Sequence, residues 1–566
     1  MPLPRSSLWP LFVGVAASLV ASAPTAAALP DAGSSGCQPA WTTVSSPRIG
    51  QAGDVLTAIA GTTSSDVWAV GVAVTGDETA STLAQHWNGR TWRHVVTPNG
   101  GPTWNAFSGV AVISSGDVWA VGFYRDLINP LVYDTLTAHW DGKAWVKVDS
   151  PNVPDMGGNQ LVDVRAIASD DVWAVGEYWR GSDAKMHALV IHWDGAAWSL
   201  VQSYAPRAGS YLYGMDAMGS DLWAVGWTGN QDATLAERWN GIRWIPESTP
   251  SPGSTNNVLN GVAIRDETDG WAVGSFAFAN TLVVHWNGID WEQVPSPSPG
   301  TGVSGNNLLS VASVASGDAW SVGQYYDSDN IRHPLIEHWD GEQWLAVDGP
   351  RVTAGNSELI TVTAVAPQDL WAVGDADDEN GDPASLIERL CPAQVLDSGF
   401  DPPTGRIDQG ATAIWSIPSS DTEPHRVMDA SGMGLFDSGD RDPGTSYTFA
   451  FDAAGSYPVL DVATSAHYRL GVPTQAAPPS GHLDTSFQVT WSAGVPLPGY
   501  VFDVQIKRPG DAAFSDWLSD QQVREVPFTA DAGTGTYSFR ARLRNTATGG
   551  ASGYSPPASI TVTGSG

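Results

Sequence analysis

Asp117-Val-Trp119-Ala-Val-Gly122, followed by His139-Trp140-Asp141-Gly142-Lys143-Ala144-Trp145, is one copy of a phrase that fills most of this chain. Its first half recurs around Trp68, Trp173, Trp223, Trp271, Trp320 and Trp371, at steps of 51, 54, 50, 48, 49 and 51 residues when Trp119 is included. Its second half recurs around Trp87, Trp193, Trp239, Trp286 and Trp339. With the fourth-strand positions these sites take 20 of the 27 tryptophans, so the tryptophan excess belongs to the repeat rather than to a ligand site.

Each unit reads as four strands. In the first unit these are the small apolar run Leu56 to Ala60, then Val67 to Val72, Thr82 to Trp87 and Thr91 to Val96. Asn88-Gly89, Asp141-Gly142, Asp194-Gly195, Asn240-Gly241, Asn287-Gly288 and Asp340-Gly341 join strands three and four, and such pairs suit a type I′ hairpin turn. Four antiparallel strands at a period near 50 residues predict an all-β, seven-bladed β-propeller over residues 37–392. A linear solenoid is the alternative, and the ends of the array oppose it. The seventh unit stops after Leu386-Ile-Glu-Arg-Leu390, and the missing fourth strand stands at the other end as Cys37-Gln-Pro-Ala-Trp41-Thr-Thr-Val44. Cys37 and Cys391 both fall at that break, where a covalent Asp-Gly turn stands in the other units. A Cys37–Cys391 disulfide closing the ring is therefore expected.

The repeat resembles the seven-bladed propellers of the kelch and galactose-oxidase kind in period, strand count and closure by an N-terminal outer strand. It lacks the Gly-Gly doublet of kelch blades. With both cysteines assigned to closure, it also offers no Tyr–Cys pair for a radical copper centre. No catalytic family is implied.

After the repeat, two small β-sandwich domains are expected at 393–475 and 476–566. Gly410 to Trp415, His425-Arg-Val427, Leu435 to Gly439 and Ala454-Gly-Ser-Tyr457-Pro resemble a plastocyanin-like cupredoxin. His425 matches the first copper ligand of that family. Asp461 stands where the cysteine ligand would be, Thr464 where a histidine would follow, and no axial methionine follows, so no type 1 copper is expected. Ala476-Ala-Pro-Pro-Ser480 reads as a linker. Phe487 to Trp491, Tyr500 to Gln505, Thr536 to Arg542 and Ala558 to Val562 resemble a fibronectin type III domain, with Trp491 as core tryptophan and Tyr537 as tyrosine corner.

Composition and targeting narrow the partners. Lys+Arg total 27 against 60 Asp+Glu, a formal charge of -33, which repels nucleic acid and anionic membrane surfaces. Arg5, the apolar run Leu11 to Val20 and the small residues 21–23 and 26–28 read as a signal peptide over 1–28 and predict secretion. That run is too short for a membrane span. Nothing in the pattern assigns an oligomeric state.

Among repeated polar residues, an Asp two before each second-strand Trp (Asp66, Asp117, Asp171, Asp221, Asp269, Asp318, Asp369) faces His86, His139, His192, His285, His338, Arg238 or Arg389. Equivalent outer positions on different blades lie too far apart for one metal ion, so this reads as a hydrogen-bonded brace in each blade and no metal centre is expected. Asp54, Asn105, Asn159, Asn257 and Asn306 read as Asx turns. The acid-dense loop Asp375 to Asp382 fails the EF-hand register and reads as a solvated loop, leaving calcium unsupported. Function is expected where the blades differ, on the loops after strands two and four. Tyr124, Trp179, Trp227, Phe276, Tyr325 and Trp104 are the candidate ligand-binding residues, with Asn230, Gln231, Asp232, Asp327 and Asp329 beside them. Aromatic faces with polar neighbours suit a glycan or protein partner. The competing assignment for the same rings is packing between blades. The expected function is noncatalytic extracellular recognition. Its rivals are a polysaccharide hydrolase or lyase with unrepeated carboxylates, such as Glu177 or Asp232, converging at the channel mouth, and a purely structural matrix component.

Overall fold

The computed structural model describes residues 39–564 apart from 77–78, 126–131, 155–156, 205–208, 230, 303–304, 350–354 and 368. The segment 1–28, Cys37 and Asn230 lie outside the described residues. Seven four-stranded antiparallel sheets form the propeller, each running from an inner first strand to an outer fourth one. In blade 1 these strands are Gly53–Thr63, Asp66–Gly76, Thr79–Trp87 and Trp92–His94. Second strands are buried along nearly their whole length because both faces meet neighbouring blades, which is why Val-Trp-Ala-Val runs apolar without alternation.

The glycine ending that run has a specific cause. Every inner strand carries a bulge at its centre, between Leu56 and Ala58 in blade 1 and between Leu161 and Asp163 in blade 3. The bulge brings an inner-strand carbonyl so close that a Cβ on Gly71 would sit 2.0 Å from the Val55 oxygen, and one on Gly176 2.1 Å from that of Gln160. The extra residue also stitches blades together: Thr57 Oγ1 donates to the Phe107 carbonyl at 2.8 Å, and Thr361 Oγ1 to that of Thr57 at 2.7 Å.

Tryptophan contacts run around the whole ring. Trp68 of blade 1 packs on Trp140 and Trp145 of blade 2 at 5.1 and 5.4 Å, and the same pattern continues through blades 2 to 5. Closure follows the expected register. The N-terminal strand Thr42–Thr43 is the fourth strand of blade 7, with Thr42 opposite Arg389 and Thr43 opposite Glu388. Trp41 meets Trp320 of blade 6 at 5.7 Å, and Trp371 of blade 7 meets Trp87 and Trp92 of blade 1.

The turns between strands three and four differ from expectation. They are four-residue connections, Trp87 pairing with Trp92, in which Gly89 alone has a positive φ (86°). Asn88 instead accepts the N–H groups of Arg90 and Thr91 at 3.0 Å through its side chain. The Asn-Gly pair thus supplies a side-chain cap and one left-handed residue, not the two left-handed residues of a type I′ turn.

Beyond the propeller lie two sandwiches. The first packs two four-stranded sheets drawn from Ala393–Leu396 through Ala466–Val472, around Trp415 and Tyr457. The second packs a three-stranded sheet against a five-stranded one around Trp491 and Tyr537. The segment expected as a linker pairs instead: Gln475–Ala477 joins the smaller sheet and Ser480–His482 the larger one. The first sandwich docks on blade 6 at the end carrying the loops after strands one and three. Gly317 N–H donates to the Gly444 carbonyl at 3.1 Å, Ser446 Oγ lies 2.7 Å from His338 Nε2, and Arg441 reaches Asp340 and Glu342 at 3.7 and 3.8 Å.

Candidate functional site

The docked sandwich covers part of one end of the propeller, so the opposite end, formed by the loops after strands two and four, is where the unrepeated residues meet solvent. These loops are braced from beneath. Asn105 Oδ1 accepts the Gly101 N–H at 2.8 Å while its amide donates to the carbonyls of Ala80 and Gly101. Asn257 does the same with Gly253 and Asp232, and Asp54, Asn159 and Asn306 cap their own loops. The expected Asx turns therefore hold the described segments of the loop face to the first strands.

Tyr124, Trp179, Trp227, Phe276 and Tyr325, expected on loops, lie instead within the far ends of the second strands, because the strand-two–strand-three pairing runs on past the close-approach glycine. The six candidates separate by exposure. Trp227 is only 6% exposed, enclosed by Tyr211 of its own blade and Val258 of the next. Phe276, Tyr325 and Tyr124 are half-buried in interblade clusters, with Tyr325 stacked on His333 at 5.1 Å and Tyr124 lying under the Lys147 ammonium at 4.7 Å. Trp104 is half-buried and its backbone bridges to Ala80. Trp179 alone among the six is exposed, at 41%.

Two exposed aromatics join Trp179 from outside the candidate set. Tyr204, 46% exposed, follows the fourth strand of blade 3. Phe278, 60% exposed, sits at the hairpin tip of blade 5 with φ 59°, beside Ala277 at φ 54°. Two consecutive non-glycine residues in the left-handed region cost of order 1–3 kcal/mol each. The backbone holds this exposed ring out rather than letting it fold onto the blade. Its sequence signal was an aromatic between two alanines where a hairpin tip ordinarily carries Gly or Asn.

Beneath the face runs a layer of unlike pairs, each one residue beyond the close-approach glycine. In blade 3 Gln160 pairs with Glu177, and Gln160 Nε2 donates both to Glu177 Oε1 and to the Tyr211 hydroxyl of blade 4 at 2.8 Å. Burial pushes Glu177 up to about 8. In blade 7 Glu358 pairs with Asp375, and Arg332 of blade 6 reaches them through its two terminal nitrogens at 2.9 Å each. Burial, reinforced by the Asp375 charge, holds Glu358 well above the usual carboxylate range. Glu358 and Asp375 converge on each other and on Arg332, whereas Glu177 is bonded to an amide in blade 3 and Asp232 is exposed.

The repeated polar residues are paired within their own blades. The five histidines lie 2.7–3.1 Å from the Asp of their own blade and stack on its second-strand Trp at 4.1–4.6 Å. Arg238 and Arg389 make two-pronged contacts with Asp221 and Asp369 instead. In the acid-dense loop Asp378 accepts the N–H groups of Asn380 and Asp382 and pairs with Arg48, so its oxygens are satisfied within the protein. A groove of about 380 Å³ between blades 1 and 2, lined by Val95 to Pro98 and by Trp140 and Trp145, lies on the outer flank.

No family model and no curated protein matches the chain. Solved structures match 62–63% of the chain. YCF48 bound to D1 peptide shares 14% identity over 62% of this chain and 97% of that one, with a TM-score of 0.40. A protein of unknown function from Dyadobacter fermentans shares 8% over 62% and 98%, with a TM-score of 0.38. Sqt1 from Chaetomium thermophilum shares 12% over 63% and 90%, with a TM-score of 0.35.

Proposed function

We propose that this is a secreted, noncatalytic recognition protein that binds an extracellular glycan, or a protein, on the loop face of its propeller. The observation that carries the reading is the set Trp179, Tyr204 and Phe278: three exposed rings at the end opposite the docked sandwich, one at the end of a second strand and one held out by a strained turn. Exposed flat rings, on a face that also carries the carboxylates of Asp183, Asp327 and Asp329, suit the alternating apolar and hydroxylated faces of sugar rings. On a glycan and polysaccharide array the wild-type chain is expected to bind, and a Trp179→Ala, Phe278→Ala double variant to bind at least about tenfold more weakly. Its thermal midpoint should stay within about 2 °C of wild type, because both rings are at the surface. Unchanged binding by the double variant sinks the loop-face reading. A folded wild type that ignores every glycan moves the partner to a protein.

Secretion accords with the apolar segment ahead of the propeller and with a ring-closing Cys37–Cys391 disulfide. In support, the pairing of Thr42 with Arg389 sets Trp41 level with Leu390, which brings the two halves of blade 7 together next to the buried Cys391. In the chain-entropy model a loop of this length contributes upwards of about 4 kcal/mol. Cys391→Ser is expected to lower urea-unfolding stability by that order, and the wild-type digest should contain a peptide pair that separates on reduction. Finding both thiols alkylatable in the native protein refutes the staple. The sheet pairs of the two sandwiches support kinship with cupredoxin and fibronectin type III domains. In the second of them the Tyr537 hydroxyl donates to the Gly533 carbonyl at 2.9 Å, as a tyrosine corner would.

A further inference from the structure

We propose that Asp397, Asp421 and His425 form a site for a divalent transition-metal ion, of which Zn²⁺ is the best fit, clasping the first sandwich beside its junction with the propeller. Asp397 lies in the turn between the strands Ala393–Leu396 and Gly399–Asp401, and Asp421 and His425 lie on the segment between Ala411–Ser416 and Val427–Asp429. The His425 side chain is fully buried. Its Nδ1 is 3.0 Å from the buried Asp461 carboxylate, which also accepts the Thr464 N–H at 3.1 Å and the Arg426 N–H at 3.2 Å. A carboxylate held this way accepts the Nδ1–H hydrogen bond and leaves the Nε2 lone pair facing the cluster, the usual support behind a metal-bound imidazole.

Nε2 has no hydrogen-bond partner, nor has the buried Asp421 Oδ2 near it. Nε2 lies 3.4 Å from Asp397 Oδ1 and 3.6 Å from Asp421 Oδ2. Those separations are long for N–H···O bonds. They match two ligands on one tetrahedral ion, since bonds of about 2.0–2.1 Å place ligand atoms roughly 3.4 Å apart. All three ligand atoms fall within 4.8 Å of one another. Asp397 is half exposed, which gives an entry path and room for water as the fourth ligand. An imidazole with two carboxylates selects Zn²⁺ over Ca²⁺, which prefers oxygen alone. The His425 backbone pairs with that of Arg441, whose guanidinium faces blade 6, so an ion here would tie the docking segment to the start of the sandwich.

The test is a ZnCl₂ titration of the chelator-treated full chain against a chromophoric zinc indicator, with the thermal midpoint read in parallel. One equivalent is expected to bind and raise the midpoint. Asp397→Asn, a change at an exposed residue, should keep the zinc-free midpoint and lose at least about tenfold in affinity, and Asp461→Asn should weaken binding by roughly 10–100-fold. The alternative arrangement, a buried imidazolium caged by carboxylates, predicts no zinc uptake. That result, or equal zinc affinity in Asp397→Asn and wild type, overturns the site. Tighter binding of CaCl₂ than of ZnCl₂ overturns the choice of ion.

Discussion

Replacing Trp371 by alanine is expected to cost about 3–5 kcal/mol of unfolding free energy, the range for deleting a fully buried large aromatic side chain. The value should fall at the upper end because the cavity has little means of collapsing. Trp371 is 0% exposed and packed against Trp87 and Trp92 across the junction between the last blade and the first. Arg389 lies over its other side at 4.6 Å, positioned by its two bonds to Asp369. The walls of the site are strands hydrogen-bonded within separate blades, so closing the void means moving one blade against another. Urea unfolding of Trp371→Ala beside Trp179→Ala provides the comparison, because the exposed Trp179 should change stability by no more than about 0.5 kcal/mol. A Trp371→Ala loss below about 1 kcal/mol would show that the tryptophan circuit does not hold the ring shut.

Stability is expected to be greatest near pH 5 and to fall steadily towards pH 9. Glu177, Glu337 and Glu388 are buried in the propeller, and burial pushes each from the ordinary 4.5 to about 8. Gln160 moderates the effect at Glu177 and Ser296 at Glu337, while burial alone acts on Glu388. The folded protein keeps these protons at pH values where the unfolded chain has released them. Their contribution is therefore complete below about pH 4.5 and is lost as the pH climbs through about 8. A shift of about 3.5 units corresponds to roughly 5 kcal/mol per group at most, so losing even part of it at three sites lowers the thermal midpoint by several degrees. Glu388→Gln, which keeps the shape and removes the charge, should leave stability at pH 5 nearly unchanged and raise it at pH 9. A Glu177→Gln, Glu337→Gln, Glu388→Gln variant with the same pH slope as wild type would falsify this account.

How much could be read in advance depended on repetition. Asp66 with His86 and Asp54 with its loop were legible because the same residues recur at the same offset in blade after blade, and a recurring residue implies a recurring environment. The aromatic loop residues carried no such constraint. Trp227 and Trp179 lie near the ends of equivalent second strands, yet one is enclosed by Tyr211 and Val258 while the other stands in solvent. Phe276 and Phe278 lie two residues apart, but the left-handed turn at Ala277 and Phe278 breaks the alternation, so one ring packs inward and the other points out. The Asn-Gly turns were placed correctly and typed wrongly, because the side-chain cap offered by Asn88 competes with a second left-handed residue and wins.

By itself, the sequence determined the ring: seven units, four strands each, closed by an N-terminal strand carrying Trp41. Those features rest on backbone pairing and burial, which a periodic pattern of apolar residues and turns specifies locally. Only the tertiary structure decided which end of the propeller the first sandwich covers, because that depends on Arg441 and Ser446 meeting blade 6 some hundred residues away in the chain. It also brought Asp397, Asp421 and His425 together on the imidazole that Asp461 orients. Contacts of that kind are unique rather than repeated. Their energy comes from side chains converging from unrelated strands, and no spacing along the chain encodes such a convergence.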